Sequence, residues 1–203
     1  MQPLQSSSVI RSELRKLEAT IAVDIHQNLI ERCKAGDQSA FNQLYTLYAK
    51  AMYNVALRII KQQQEAEDIL QEAFVKAYRK LHQFEYQATF GAWLKRIVIN
   101  QALDFIRKQK LQYADDVNDM NYQDVADTNE EVDWDEVDFT VDKIKQAMQE
   151  LPTGFRVVTS LFLFEGYEHK EIAEIMGISE STSKSQYHRA KIKIKEILKS
   201  NER

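Results

Sequence analysis

The sequence predicts an all-α protein with two helical domains joined by a flexible acidic linker. Only five glycines and two prolines occur in 203 residues, too few turn formers for a sandwich, a barrel or a many-stranded sheet. Apolar residues recur at helical spacing through most of the chain. The segment 111–139 is the exception, with 11 acidic residues, no Lys or Arg and no helix or strand period. Such a composition is typical of an extended linker.

Charge divides the chain more clearly than the net value of −4 suggests. Residues 27–110 carry 13 basic and 8 acidic side chains, and residues 140–203 carry 11 and 9. We therefore predict an N-terminal extension over 1–26 with no assigned role, a domain over 27–110, the linker over 111–139 and a second domain over 140–203. Two mildly basic domains on either side of an acidic spacer indicate that a polyanion binds at both ends.

The composition also argues against several functions. The single cysteine, Cys33, excludes a disulfide framework, and the four scattered histidines have no metal-ligand spacing. We expect no metal, no cofactor and, without a glycine-rich phosphate loop or a nucleophile–base set, no enzyme activity. Apolar runs are too short to span a bilayer and the N-terminus has no signal-like apolar region. A cytoplasmic protein without membrane insertion is expected.

A short helical piece, Leu29–Lys34, and three packed helices are predicted in the first domain, counted here in chain order from the short piece. A short helix ends before Gly36, and Asp37 caps a long helix that reaches Ile60. After a polar break, the third helix carries an apolar face, a loop spans 82–89, and the fourth helix runs from Phe90 to about Lys110. The apolar face of the third helix contains Ile69, Leu70, Ala73, Phe74, Ala77, Tyr78 and Leu81.

The second domain ends in a predicted helix-turn-helix. One helix starts at Thr140, a second has Pro152 in its first turn and ends near Gly166, a third covers Lys170–Met176, and the last covers about Glu180–Leu198. Gly177 suits the left-handed turn residue and Ser179 suits the cap of the recognition helix. Polar or cationic side chains that can reach base edges and phosphates follow: Ser181, Thr182, Lys184, Ser185, His188 and Arg189. The alternative is an ordinary helical hairpin with a solvated basic face.

In the first domain, cations of the fourth helix accompany a group of aromatic residues. Aromatic rings stack on unpaired bases while cations hold phosphates, so this composition suits a single strand of nucleic acid. The alternative places Phe90 and Trp93 in the core. The loop residues Glu85, Tyr86 and Gln87 are expected to be exposed.

Two stretches resemble one protein family. Residues 68–108 (DILQEAFVKAYRKLHQFEYQATFGAWLKRIVINQALDFIRK) resemble region 2 of bacterial sigma-70 family RNA polymerase sigma factors. Residues 151–191 (LPTGFRVVTSLFLFEGYEHKEIAEIMGISESTSKSQYHRAK) resemble region 4 of the same family. The two-domain layout is similar to the extracytoplasmic-function (ECF) class, and two motifs in the right order are more specific than either alone.

The resemblance implies core RNA polymerase as the main partner, bound through the β′ clamp helices and the β flap. The polymerase contact would use one exposed helix face with Asp68, Gln71, Glu72 and Phe74. The class also often has an anti-sigma factor, which would be a further partner. The linker would pass through the active-centre cleft of the polymerase, either as a tether or as a mimic of nucleic acid.

The resemblance further implies promoter DNA as a partner, both as duplex and as a melted single strand. Region 2 would hold the melted −10 strand, with a flipped base captured by the loop at Phe84–Thr89. The residues implied at the −10 element are Phe84, Glu85, Tyr86, Gln87, Trp93, Lys95, Arg96, Asn100 and Arg107. Because Asn100 follows an apolar run, either a structural hydrogen bond or DNA must satisfy its amide. Region 4 would read the −35 element with Ser181, Thr182, Lys184, Ser185, His188 and Arg189.

Three positions of the recognition helix depart from the usual family pattern. Ser181 replaces a glycine, Ser183 replaces a β-branched residue and Gln186 replaces an arginine. We expect these differences to bear on the promoter sequence that is recognised, not on the role. The rival interpretation is an autonomous helix-turn-helix regulator with an unrelated helical sensor domain, which leaves the surface at 67–74 unexplained.

Overall fold

The computed structural model describes residues 26–112 and 140–201 of the chain, and these residues are helical apart from turns and short loops. The prediction of an all-α fold is confirmed. The described helices are α1 (26–34), α2 (Gln38–Ile60), α3 (Gln63–Lys80), α4 (Phe90–Gln112), α5 (Val141–Glu150), α6 (Thr153–Leu163), α7 (His169–Met176) and α8 (Glu180–Asn201), with a 3₁₀ turn at Leu81–Gln83. The N-terminal extension as far as residue 25 and the acidic segment from residue 113 lie outside the described residues.

Local sequence signals set the helix ends in the first part of the chain. The Asp37 carboxylate accepts hydrogen bonds from the backbone N–H groups of Ser39 (2.8 Å) and Ala40 (3.2 Å), and so caps α2 as predicted. Gly36 takes a φ of +89° in the turn before it, a conformation that glycine adopts without steric cost. The polar break between the second and third predicted helices is a turn of only two residues between α2 and α3.

The described residues form two compact units. The first contains α1, α2 as far as Ala56, α3 from Gln64 and α4 as far as Gln101. The second contains 57–63, the rest of α4 and α5 to α8. The domain boundaries at 26, 110 and 139 stay predictions.

In the second unit, the helices α5, α6 and α8 enclose an apolar core. Its buried members are Ala147, Met148, Leu151, Phe155, Ala190, Ile194, Ile197 and Leu198. Thr140 caps α5 by accepting a hydrogen bond from the N–H of Lys143 (3.3 Å). Pro152 occupies the N-cap position before α6, with an extended ψ of 147°, so the helix begins one residue later than predicted. α6 ends at Leu163, three residues before the predicted end near Gly166.

Two further properties of the described residues bear on function. Within 26–112 and 140–201, no helix combines the length and the apolar character that crossing a membrane requires. Across the same residues, His, Cys, Asp and Glu side chains form no cluster of three or more that could hold a metal ion. Cys33 is buried, and its burial raises the pKa of the thiol, which disfavours the reactive thiolate.

Candidate functional site

The predicted polymerase-binding residues of α3 separate into an exposed group and one core residue. Asp68, Gln71 and Glu72 are exposed, and their spacing places them on one face of the helix. Phe74 is only 3% exposed, so the expectation that it lies on this exposed face is wrong. Its ring packs on Tyr45 and Phe41 of α2, with ring centres 4.7 and 6.4 Å apart.

An exposed apolar residue of this face is Val75, which sequence reasoning missed. Val75 is 49% exposed and stands seven residues after Asp68, so the two project in nearly the same direction. It borders a groove between α3 and α4. Three residues that line that groove form a chain of hydrogen bonds, in which Lys76 donates to Gln101 (2.9 Å) and Gln101 donates to Glu72 (3.2 Å). The helical spacing of positions 68, 71, 72 and 75 in the sequence would have identified Val75 as a member of this face.

The loop at 84–89 has a buried anchor and two exposed polar residues. Phe84 is 4% exposed and contacts the rings of Trp93 (5.2 Å between centres) and Phe90 (5.9 Å). The resemblance implied a base contact for Phe84, but its ring lies in the core. Glu85 and Gln87 are exposed as expected, with the Gln87 amide donating to the Glu85 carboxylate (3.1 Å).

Tyr86 differs from its two neighbours. It was expected to be exposed, but it is half-buried and has a positive φ of 59°. Its hydroxyl donates a hydrogen bond to Glu31 of α1, and the Lys34 ammonium lies 4.6 Å from its ring centre. These α1 partners lie more than fifty residues away in the sequence, which gave no signal for them.

On α4, four of the five predicted −10 residues share one side of the helix. Trp93, Arg96, Asn100 and Arg107 stand at spacings of three, four and seven, which align on one face. Lys95 projects about 100° from Arg96, on the side away from Trp93. Phe90 is buried and Trp93 is half-buried, so the core interpretation holds for Phe90 and only partly for Trp93.

The polar and charged members of this α4 face are accessible to different degrees. Asn100 is exposed, so water can satisfy its amide and no structural hydrogen bond is required. Arg96 is half-buried, and Arg107 is exposed and donates to Asp104 (2.9 Å).

The helix-turn-helix has the turn that the sequence predicts. Gly177 adopts a φ of 71° and a ψ of 38° at the end of α7. The Ser179 hydroxyl accepts a hydrogen bond from the N–H of Thr182 (3.0 Å), which caps α8. Glu168 and Glu171 form a reciprocal capping pair at the start of α7, which fixes where that helix begins.

The recognition helix α8 presents a continuous polar face. Ser181, Lys184, Ser185 and His188 follow the i, i+3, i+4, i+7 pattern of one helix face. Ser181 and Lys184 are exposed, and Lys184 forms an ion pair with Glu180 (2.8 Å). The remaining predicted −35 residues, Thr182, Ser185, His188 and Arg189, are half-buried.

Two of the departures from the family pattern lie inside the domain. Ser183 is fully buried and Gln186 is 8% exposed, so neither faces a DNA groove. The expectation that they bear on the promoter sequence stays a prediction, and for these two it cannot act through direct base contacts. Gln186 packs on the Gly154 backbone, where an added Cβ would lie 3.3 Å from the Gln186 side-chain oxygen.

Ser183 takes part in a contact between α7 and α8. The Ser183 hydroxyl forms a hydrogen bond with Nδ1 of His169 (2.9 Å), and the His169 ring stacks on Phe162 with centres 4.6 Å apart. Burial, together with the nearby Lys184 ammonium, lowers the pKa of His169. The neutral imidazole therefore joins the two helices of the motif at neutral pH.

Comparisons with known proteins match both of the stretches that resemble sigma factors. The family model described as Sigma-70 region 2 matches residues 44–112, and the model described as Sigma-70, region 4 matches residues 142–194. The RNA polymerase sigma-H factor of Pseudomonas aeruginosa is 33% identical over 182 residues, which are 85% of this chain and 93% of that protein. The ECF RNA polymerase sigma factor SigW of Bacillus subtilis is 33% identical over 180 residues, 84% and 95% of the two chains.

A solved structure shows the same fold. The sigma factor RpoE of Bartonella quintana, crystallised in complex with the anti-sigma factor NepR, is 26% identical, with a TM-score of 0.54. The match covers 78% of this chain and 96% of that chain. The chain belongs to the sigma-70 family of RNA polymerase sigma factors, in its ECF class. Its function is that of an RNA polymerase sigma factor, and the rival interpretation of an autonomous regulator is set aside.

Proposed function

We propose that this sigma factor acts through three surfaces: one on α3 for core RNA polymerase, one on α4 and the preceding loop for the melted −10 strand, and one on α8 for the −35 duplex. The observation that carries the proposal is that exposed or half-buried side chains of α3, of α4 with its preceding loop, and of α8 lie in the segments matched by the region 2 and region 4 models, in that order along the chain. Because both domains of the chain bind the same polymerase, one chain can hold the −10 and −35 elements at the same time.

The polymerase surface consists of Asp68, Gln71, Glu72 and Val75 and contacts the β′ clamp helices. Its mixture of carboxylate, amide and half-exposed apolar side chains suits a protein interface, in which an apolar centre has a polar rim. The second domain contacts the β flap. An anti-sigma factor is a further partner, by likeness to the Bartonella quintana protein that is crystallised with one.

The −10 surface consists of the exposed loop residues Glu85 and Gln87 and the α4 face with Trp93, Arg96 and Asn100. The half-buried indole of Trp93 offers part of a ring to an unpaired base, and Arg96 supplies a cation beside it. Arg107 extends the positive charge along this face of α4, and Lys95 adds a cation on the other side of the helix. Unstacking a base costs a few kcal/mol, which contacts of this kind offset.

The −35 surface is the face of α8 that begins at its capped N-terminus. Ser181 and Lys184 lie at the exposed start, and Ser185, His188 and Arg189 follow. Short polar groups reach base edges, whereas lysine and arginine bind phosphates or guanine. The protein contributes binding energy to initiation, has no catalytic activity of its own, and acts in the cytoplasm where core polymerase is found.

The experiment is a set of three separation-of-function variants tested with core polymerase. Asp68→Ala with Val75→Ser should weaken binding to core and leave duplex −35 binding unchanged. Asn100→Ala with Gln87→Ala should leave core binding unchanged and destabilise the open complex on a promoter fragment. Lys184→Ala should weaken only the −35 contact. If all three variants lose the same step, the division into three surfaces is wrong.

A further inference from the structure

Two residues of α1 connect this helix to the loop that precedes α4. Glu31 and Lys34 are one helical turn apart and form an ion pair (3.2 Å). The Tyr86 hydroxyl donates a hydrogen bond to the Glu31 carboxylate. The Lys34 ammonium donates to the Phe84 carbonyl oxygen (3.2 Å) and lies 4.6 Å from the centre of the Tyr86 ring. One pair of side chains therefore contacts both the backbone and the aromatic residue of the loop.

The loop needs such support because Tyr86 has an unfavourable backbone conformation. Its φ of 59° lies in the left-handed region, which a residue with a bulky side chain adopts only where its surroundings hold it. On one side, the ring of Tyr86 packs on Phe84 with centres 4.8 Å apart, and Phe84 is anchored in the core. On the other side, α1 holds the hydroxyl.

The electrostatics keep this contact in one protonation state. Burial and the adjacent carboxylate raise the pKa of the Tyr86 phenol, and the hydrogen bond from Tyr86 lowers the pKa of Glu31. Across the neutral range the phenol remains a donor and the carboxylate remains an acceptor. Such charge-assisted bonds are stronger than neutral ones.

The consequence for the loop is a fixed presentation of its two exposed residues. Glu85 and Gln87 flank Tyr86 and are both exposed, with their side chains hydrogen-bonded to each other. We infer that Glu31 and Lys34 are positioning residues for −10 recognition, which hold Tyr86 so that Glu85 and Gln87 face the melted strand in one conformation. This inference rests on the proposed role of the loop. It goes beyond the family match, which begins at residue 44 and leaves α1 out.

The test uses the full chain assembled with core polymerase and a promoter library randomised in its −10 region. Tyr86→Phe removes only the hydroxyl, Glu31→Gln removes the charge of the acceptor, and Lys34→Met keeps the aliphatic stem without the ammonium. Arg32→Met is the matched control, because it removes the same charge from the same helix but from a side chain that pairs with Asp37 (2.6 Å). The readouts are the base preference among transcribed library members and the affinity for the best single-stranded −10 sequence.

If the loop loses its fixed conformation and only about a tenth of molecules present it correctly, the strand affinity falls about tenfold. We expect that fall, together with a flatter base preference at the captured position, in Tyr86→Phe, Glu31→Gln and Lys34→Met. The double variant Glu31→Gln with Tyr86→Phe should be no weaker than the worse single variant, because both changes act on the same bond. Arg32→Met should behave as the wild type, and the core affinity and melting temperature should stay unchanged.

Failure of the inference is distinguishable from failure of the proposed loop role. Gln87→Ala tests the loop directly, and if it leaves the −10 preference unchanged, the loop does not read the strand. If Gln87→Ala changes the preference but the three α1 and Tyr86 variants match Arg32→Met, the positioning role is overturned while the loop role stands. An equal loss for all bases, accompanied by a lower melting temperature, would also overturn it and show a purely structural contact.

Discussion

Positions 74 and 75 of α3 are adjacent in sequence, yet substitutions there are expected to have opposite effects. Phe74 is 3% exposed and packs on two aromatic rings of α2. Replacement of a buried phenylalanine by alanine costs about 3–5 kcal/mol, a large part of the roughly 5–15 kcal/mol that stabilises a typical domain. Phe74→Ala should therefore lower the melting temperature strongly, and Phe74→Leu, which leaves a smaller cavity, should restore most of it.

Val75→Ser should instead affect only the polymerase contact. Full burial of a valine side chain is worth about 1.5–3 kcal/mol, and Val75 is already about half buried, at 49% exposure. Docking can therefore gain about 1 kcal/mol from this side chain, which corresponds to about a fivefold change in Kd. The unfolding free energy of an exposed site should change by no more than about 0.5 kcal/mol.

The assay pairs denaturant unfolding of the full chain with a fluorescence titration of core polymerase. Leu47→Ser is the matched control, because Leu47 is also exposed (54%). Tyr45 marks the side of α2 that packs on Phe74 of α3. Leu47 projects about 200° from Tyr45 around α2 and therefore points away from α3. If Phe74→Ala remains as stable as the wild type and loses only core binding, Phe74 is a docking residue and not a core residue. If Val75→Ser and Leu47→Ser weaken core binding equally, Val75 has no specific role in docking.

Three further predictions concern the helix-turn-helix. His169 has a lowered pKa in the folded protein, so the unfolded chain takes up its proton first, and stability is lost as the pH falls below about 6.5. His169→Phe should remove this part of the pH dependence in thermal melts between about pH 5 and pH 8, at a cost of about 1–3 kcal/mol for the buried, unpaired Ser183 hydroxyl. An unchanged pH slope in this variant would show that His169 does not cause that part of the pH dependence. Lys184→Ala and Arg189→Ala should each lower the salt dependence of duplex −35 binding by about one ion if the contact is to phosphate, or cost about 1–3 kcal/mol with relaxed specificity if it is to a base. Wild-type affinity in gel shifts would remove α8 from recognition. Gly177→Ala should destabilise the chain by about 1 kcal/mol, since φ is +71° and an added Cβ meets no atom within 4 Å. A melting temperature equal to that of the wild type would contradict this prediction, because alanine at position 177 would then adopt the turn without strain.

The fold was predictable because helix periodicity, caps and turn residues are local. Asp37, Ser179 and Gly177 act at the positions that their chemistry predicts. For Phe74, two lines of reasoning disagreed: the apolar period of α3 placed it in the core, and the family resemblance placed it on the docking face. The period was right, because the buried residues of α3 follow it from Ala66 to Ala77.

The candidate site was less predictable, because accessibility depends on tertiary packing. The resemblance identified the loop at 84–89 but not that Phe84 turns inward or that Tyr86 is held by α1. Ser183 and Gln186 illustrate the limit of motif comparison, since both depart from the family pattern at positions that face the interior. The buried period of α8, which continues to Ala190 and Ile194, contained that information.

A chain that directs core polymerase to promoters should make run-off transcription with purified components depend on its presence. Core polymerase alone and core with the full chain are compared on a library of candidate promoters, with the Asp68→Ala, Val75→Ser double variant as the control for specific assembly. We predict discrete transcripts from a subset of promoters only when the wild-type chain is present, and fewer with the control variant. Identical transcripts with and without the chain on every promoter would show that it does not act as a sigma factor on them.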